Sequence, residues 1–290
     1  MAMVLVAAVL WGTTGTAQSF APLALSPYLV GAMRLVMAAL FFGVCLLVLR
    51  RSPQAAPGPL PWRPVVLAGA CMALYNLSFF AGVKASSVAL GTAVAIGSGP
   101  IWAGLLQFAS TGRAPRAVWW WGTLLAVAGG SLMVMGGAQS LSLSVSGIAL
   151  CLMAGLSYAA YALINKRMVA LAAPAVVTAR VFTVAAALAL PAAAWLADSL
   201  VLSPSGWLVV SYLGVVATGI SYLLFSSGLR AISGATGVTL ALAEPLTAFL
   251  LAMLVVGERP GLSAFAGLVL VLAGLGLVIW TELRAAPGQA

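Results

Sequence analysis

Histidine is absent from these 290 residues, and acidic residues number only four. Without histidine there is no Ser-His triad, no HExxH site and no imidazole to hold a metal. The three cysteines (Cys45, Cys71, Cys151) stand singly inside apolar runs and form no CxxC pair. They suit the role of small buried hydrophobes, which argues against a disulfide framework or a metal centre. Charged residues make up 6% of the chain, against about a quarter in soluble domains. No Gly-x4-Gly-Lys-[Ser/Thr] loop occurs, so direct use of ATP is not expected and no cofactor is implied. An enzyme would have poor material to work with.

What is present is apolar: 63% hydrophobic residues and a mean hydropathy of +1.16. A soluble fold cannot hide that much apolar surface, so the expected solvent is lipid. The 13 basic residues outweigh the acids to give a net charge of +9, yet they lie singly or in pairs between apolar runs. They form no patch for nucleic acid. Such spacing is how a chain sets its membrane topology.

A bilayer core of about 30 Å takes roughly 20 apolar residues per helix. Ten such spans are expected, at about 2–21, 28–49, 62–82, 87–108, 116–136, 146–165, 173–197, 206–228, 234–256 and 261–282. Turn residues separate them: Ser26-Pro27, Thr111 to Pro115, Ala173-Pro174, Ser203 to Gly206, and Gly257-Glu258-Arg259-Pro260. The Pro-rich stretch Arg51 to Pro61 is the one long loop expected on the cytoplasmic side. Gly15-Thr16-Ala17 resembles a signal-peptide cleavage site, but no basic residue precedes Arg34, so the first span is expected to be retained.

The chain also repeats itself. Gly82 to Gly91 (GVKASSVALG) recurs as Gly228 to Gly237 (GLRAISGATG), 146 residues later. At an offset of 145, Pro100, Gly112, Pro115, Gly122 and Gly129 match Pro245, Gly257, Pro260, Gly267 and Gly274. A first repeat over 1–136, a polar linker over 137–145 and a second repeat over 146–290 follow. With the N-terminus inside, the inner connections carry nine basic residues and the outer ones only Lys84 and Arg259. Both termini are therefore expected in the cytoplasm. Five spans per half is an odd number, so the halves enter the membrane in opposite senses. The expected fold is an all-α polytopic protein of two inverted five-helix repeats around a central cavity, and that symmetry is the physical basis of alternating access.

The residues Leu10-Trp11-Gly12-Thr13-Thr14, Gly228 to Ser233, Glu244-Pro245 and Gly257-Glu258-Arg259-Pro260 resemble, in that order, the drug/metabolite transporter superfamily. The likeness is to its ten-helix EamA-type branch, most of all to YddG-type aromatic amino acid exporters. The first repeat carries weaker copies, with Gly99-Pro100 in place of Glu-Pro and Arg113-Ala114 in place of Glu-Arg. The resemblance implies export of amino acids and related small metabolites from bacteria, across the inner membrane. A flippase or an exporter of amphiphilic or lipid-linked substrates is the alternative. A monomer would suffice, with a small solute and the bilayer as its partners.

A carrier cavity needs polar and aromatic side chains on one helix face at mid-membrane depth. Trp11, Thr14 and Gln18 share a face of the first helix, and Tyr158, Tyr161 and Asn165 repeat that spacing 147 residues later. The other candidates are Tyr75, Asn76 and Phe79 in the third span, Ser98 and Trp102 in the fourth, Tyr222 in the eighth and Glu244 in the ninth. Lipid-headgroup anchoring of the aromatics and helix-to-helix bonding of Asn76 are the competing readings. Gly97, Gly99, Pro100 and Pro245 loosen two helices and are candidate hinges. Glu244 is either a proton-coupling site or a structural hydrogen-bonding group. Arg34 and Arg180 are repeat-equivalent and either snorkel, pair structurally or meet a carboxylate. Lys84 and Arg230 are candidate cavity-mouth charges. Gly122, Gly129, Gly267 and Gly274 suit close helix packing, within or between chains.

Overall fold

The computed structural model describes residues 1–20, 26–49, 60–86, 88–135, 144–197, 201–257 and 261–284. Within them the chain forms ten apolar helices and no strand. In order these are α1 (Ala2–Ala17), α2 (Pro27–Val48), α3 (Trp62–Ala85), α4 (Leu90–Thr111), α5 (Ala117–Met135), α6 (Val145–Val169), α7 (Pro174–Leu196), α8 (Pro204–Gly228), α9 (Gly234–Val255) and α10 (Leu262–Leu283). Among the described residues α2 to α10 are long and apolar enough to cross a membrane. Most of the Arg51–Pro61 loop, most of the 137–145 linker, and Glu258-Arg259-Pro260 lie outside the described residues.

α1 is interrupted within its expected span. Expected over about 2–21, it is helical over Ala2–Gly12 and Thr14–Ser19, with a break at Thr13. There both the hydroxyl and the backbone N–H of Thr13 donate to Leu10 O, at 2.6 and 3.3 Å, which tightens one turn.

Helices form because lipid leaves the backbone no other partner. Side-chain hydroxyls follow the same rule. Thr183, Ser221, Ser227 and Thr239 each donate to the carbonyl four residues back, at 2.7, 2.7, 2.7 and 3.1 Å. Ends are marked by short polar residues. Ser144, Ser203 and Ser233 accept from Gly147 N, Gly206 N and Thr236 N and so start α6, α8 and α9. Gly112 and Gly257, matched in the two halves, end α4 and α9 at φ of 68° and 79°, where other residues would be strained.

Two helices are irregular. Pro245 has no N–H for Ala241 O, and α9 tightens to a 3-10 turn over Ala241–Ala243 just before it, then widens to a π turn over Ala252–Val256. In α8 a π turn spans Val215–Ile220, where Thr218 reaches back to Leu213 O at 2.7 Å. By contrast α4 continues as an α-helix through Pro100. The two proline breaks are unequal.

The packing is two-fold. α3 rests on α6 as α1 rests on α8, α4 on α6 as α9 on α1, and α3 on α7 as α8 on α2. Each pair becomes the other when helices five apart in order are exchanged. Two further extensive contacts, α2 with α7 and α5 with α10, map onto themselves. In the last of these a Cβ on Gly129 would lie 2.5 Å from Gly267 O, and one on Gly122 2.8 Å from Gly274 O. Ascending residues meet descending ones, so equivalent helices run antiparallel, as inverted repeats require. The glycine seam is therefore a contact within the chain. The same logic joins α3 to α6, where a Cβ on Gly82 would be 2.5 Å from Cys151 Sγ. It also joins α8 to α1, where one on Gly228 would be 2.5 Å from Val4 Cγ2.

Candidate functional site

Four of the central helices, α1, α3, α6 and α8, direct aromatic rings at one another. Trp11 lies 5.0 Å from Tyr222, 5.4 Å from Phe225 and 6.3 Å from Tyr158, centroid to centroid. Tyr158 in turn lies 5.5 Å from Tyr75 and 6.4 Å from Tyr161, and Tyr75 is 6.2 Å from Phe79. Trp11 and Tyr158, equivalent in the repeat, face each other edge to face across the join between the halves.

Two rings of this cluster were not among the sequence candidates. Phe225 lies tilted beside Trp11, and Phe182 of α7 lies 4.8 Å from Tyr222. Phe225 could have been found, because it is the repeat partner of Phe79, 146 residues on. Phe182 carries no such signal: its counterpart is Val36.

Polar candidates divide into those held by the protein and those left open. Asn165 is fully buried and donates to Tyr161 Oη at 3.2 Å and to Ser226 Oγ at 2.8 Å, which clamps α6 to α8. Asn76 donates to Met72 O at 2.9 Å, and Ser98 to Ala95 O at 3.3 Å, both within their own helices. Thr13, named in the sequence only as part of a motif, meets Tyr212 Oη at 2.7 Å. Thr14 is half-buried, and the Gln18 side chain lies outside the described residues. On the other side, Trp11 Nε1, Trp102 Nε1, Tyr158 Oη and Arg34 Nε are buried donors without a partner. Ser26 Oγ and Trp119 Nε1 are unpartnered as well, as is the acceptor Asn165 Oδ1; a buried donor left unmet costs about 1–3 kcal/mol, so such groups call for a ligand or water.

Two charged candidates stand on helices that adjoin the ring-bearing ones. Glu244 opens the segment after the 3-10 turn of α9, and its backbone carbonyl approaches so closely that a Cβ on Gly12 would be 2.6 Å away. It therefore neighbours Trp11. Arg34 lies on α2, whose backbone approaches α8 at Gly214. Both side chains are half-buried, although they sit deep within helices. No ion pair joins them, and no hydrogen bond occupies the Glu244 carboxylate among the described residues. Arg180, the equivalent of Arg34, is exposed instead.

At the ends of the helices, Lys84 lies over the Tyr28 ring at 5.8 Å, and Arg230 Nε donates to Val169 O at 3.1 Å, tying the α8–α9 turn to the end of α6. Gly97 and Gly99 lie in α4, where Gly155 of α6 approaches Ala95 O and Gly99 N closely. A separate cleft of about 290 Å³ lies between Gln107, Arg113, Arg116, Trp119, Ser233, Thr236 and Glu282. Its Glu282 accepts from Ser233 N at 3.0 Å and from Thr236 Oγ1 at 2.5 Å, closing α10 on the start of α9. No group of three or more potential metal ligands occurs among the described residues.

A model of the EamA-like transporter family matches residues 1–135 and 145–280. Over 272 residues the chain is 40% identical to the uncharacterized transporter YwfM of Bacillus subtilis (strain 168), covering 94% of this chain and 90% of that one. A shorter stretch of 78 residues is 35% identical to the uncharacterized transporter YxxF of the same organism, 27% of this chain and 25% of that one. The putative permease-like protein YdzE, also from that organism, is 35% identical over 68 residues, 23% of this chain and 87% of its own. A solved crystal structure superposes with a TM-score of 0.82 at 20% identity, covering 98% of each chain, and so shares the fold.

Proposed function

Since the chain belongs to the EamA-like transporter family and is a multi-pass membrane transporter, we propose that it exports amino acids, aromatic ones included, and related small metabolites. The solute crosses by alternating access through the space between the two halves. The observation that carries this reading is the ring cluster of Trp11, Tyr75, Tyr158 and Tyr222, which adjoins unpartnered buried donors at the join between the repeats. Rings supply apolar area for an aromatic or aliphatic side chain, and a few convergent donors fix its orientation. Differential affinity in two mirror-related states then suffices, and a solute or proton gradient sets direction.

The exporter sits in the bacterial inner membrane with both termini in the cytoplasm, following its basic residues. The cysteine-labelling pattern of termini in intact cells tests that orientation. Function is tested by counterflow in proteoliposomes with a panel of amino acids. Saturable, stereoselective exchange of at least one member is expected. Translocation of a fluorescent lipid with no amino acid exchange would replace this reading by the flippase.

A further inference from the structure

We propose that the cleft of about 290 Å³ between the α4–α5 turn, the start of α9 and the end of α10 binds a phosphate-bearing anion, the headgroup of an acidic phospholipid or a free phosphate. Two exposed arginines, Arg113 and Arg116, line it. Directly after them α5 begins at Ala117 with no acidic residue in its first turn, so its N–H groups add positive potential. Trp119 is the second, independent sign of a ligand. It lines the cleft, is only 3% exposed, and its Nε1 has no partner. The Cζ3 edge of its ring lies 3.0 Å from where a Cβ on Gly104 would stand, so that edge packs on α4. Nε1 is on the opposite edge, which leaves the N–H for the cleft. The one carboxylate in the cleft is already engaged: Glu282 accepts from Ser233 N at 3.0 Å and from Thr236 Oγ1 at 2.5 Å. Gln107 Oε1 accepts from Ala235 N at 3.4 Å and keeps its NH2 for another acceptor. The protein thus satisfies the start of α9 itself, and among the described residues neither arginine head pairs with Glu282.

Packing does not demand these donors. At the offset of 145, Gln107, Arg116 and Trp119 correspond to Ala252, Gly261 and Ala264, and Arg113 to Glu258. The α5–α10 seam is matched at both ends, Gly122 on Gly274 and Gly129 on Gly267, yet only one end carries this set. Guanidinium forks fit the oxygens of a phosphate, and the indole N–H adds a further donor. The cleft lies where α4 ends and α5 begins, the level at which lipid phosphates lie. Phe108 and Leu283, next in sequence to Gln107 and Glu282, are exposed and offer apolar surface beside it for acyl chains. On the orientation proposed above, this end faces the acidic cytoplasmic leaflet. Occupancy joins the α4–α5 turn of the first repeat to α9 and α10 of the second, so it should stabilise the whole chain.

The test is thermal unfolding of the full chain in neutral detergent at constant ionic strength. The probes are dioctanoyl phosphatidylglycerol, dioctanoyl phosphatidylcholine and inorganic phosphate. Phosphatidylglycerol at about a hundredfold excess over its dissociation constant should raise the midpoint by about 5 °C. Replacing both arginines, Arg113→Gln with Arg116→Gln, should raise the lipid concentration required about tenfold to thirtyfold. Trp119→Phe, which keeps a ring and loses the N–H, should raise it about threefold to tenfold. Arg167→Gln removes an exposed charge from the same end, on the helix that Arg230 ties down at Val169, and should respond as the wild type does. A shift with phosphatidylglycerol alone identifies a lipid headgroup. An equal, arginine-dependent shift with inorganic phosphate identifies a free phosphate, and either result supports the site. An equal shift with phosphatidylcholine in the wild type, an arm that needs no variant, overturns the proposal. So does the absence of a shift with both anions, or an equal weakening by Arg167→Gln.

Discussion

The two halves agree at their seams and disagree at their centre. Along the seams, Gly82 on Cys151 is answered by Gly228 on Val4, and Gly129 on Gly267 by Gly122 on Gly274. At the centre, Arg34 turns inward while Arg180 is exposed, and Glu244 stands where the first half has Gly99. α9 breaks into a 3-10 turn before Pro245, and α4 runs on through Pro100. The difference has a physical sense. Exchange between two mirror-related states needs a scaffold whose halves can swap geometry, so packing keeps the symmetry. A solute with a carboxylate at one end and an ammonium at the other has no two-fold axis. A site that reads both must be asymmetric.

Several measurements can break or sharpen that contrast. The largest effect is expected at the seam. Gly129→Leu forces a side chain into the α10 backbone and should cost about 3 kcal/mol or more, or prevent folding. Gly276→Leu on α10 itself, where nothing lies within 4 Å, should stay within about 0.5 kcal/mol. Thermal unfolding in detergent compares the two, and equal losses would mean that α5 and α10 do not meet as described.

Next comes the arginine pair. Arg34→Gln should lower exchange about tenfold or more, since it removes a buried guanidinium whose Nε has no partner, and Arg180→Gln should leave it within about twofold. Initial rates at matched protein density decide, and comparable losses would remove the asymmetry. Glu244→Gln should lower the rate by a similar factor at every outer pH, with the shape of the profile unchanged. A flattened profile would instead assign Glu244 to proton coupling.

Smaller effects are expected where the protein satisfies its own polar groups. Asn165→Ala removes the bonds to Tyr161 and Ser226 and should cost about 1–2 kcal/mol of stability, with α6 loosened from α8. Tyr158→Phe removes a hydroxyl that has no partner, so stability should change by less than about 0.5 kcal/mol. Its effect should appear in the apparent affinity for solute. A loss of stability equal to that of Asn165→Ala would show that the hydroxyl serves the fold.

Much of the architecture was legible before any coordinates. Nine of the ten expected spans recur as membrane-length helices, because a 20-residue apolar run in lipid has one way to satisfy its backbone. The break in α1 was not legible, since a single threonine back-bond at Thr13 leaves no mark in hydropathy. The candidate site was legible in part. Helical spacing and the repeat singled out Trp11, Tyr75, Tyr158 and Tyr222, and the rings do meet. The same spacing singled out Tyr161 and Asn165, which are wholly enclosed between helices. Spacing names a face of a helix but does not say what stands opposite.

By itself, then, the sequence determined that this chain lies in a membrane, that it is built of two matched halves, and which glycines allow its helices to touch. Those properties follow from composition and period, which act locally along the chain. Only the tertiary structure decided that Arg34 points in and Arg180 out, that Phe182 joins the ring cluster, and that the glycine seam closes within one chain. A long side chain on a helix can reach either way, and its direction is set by the neighbours that several helices bring together.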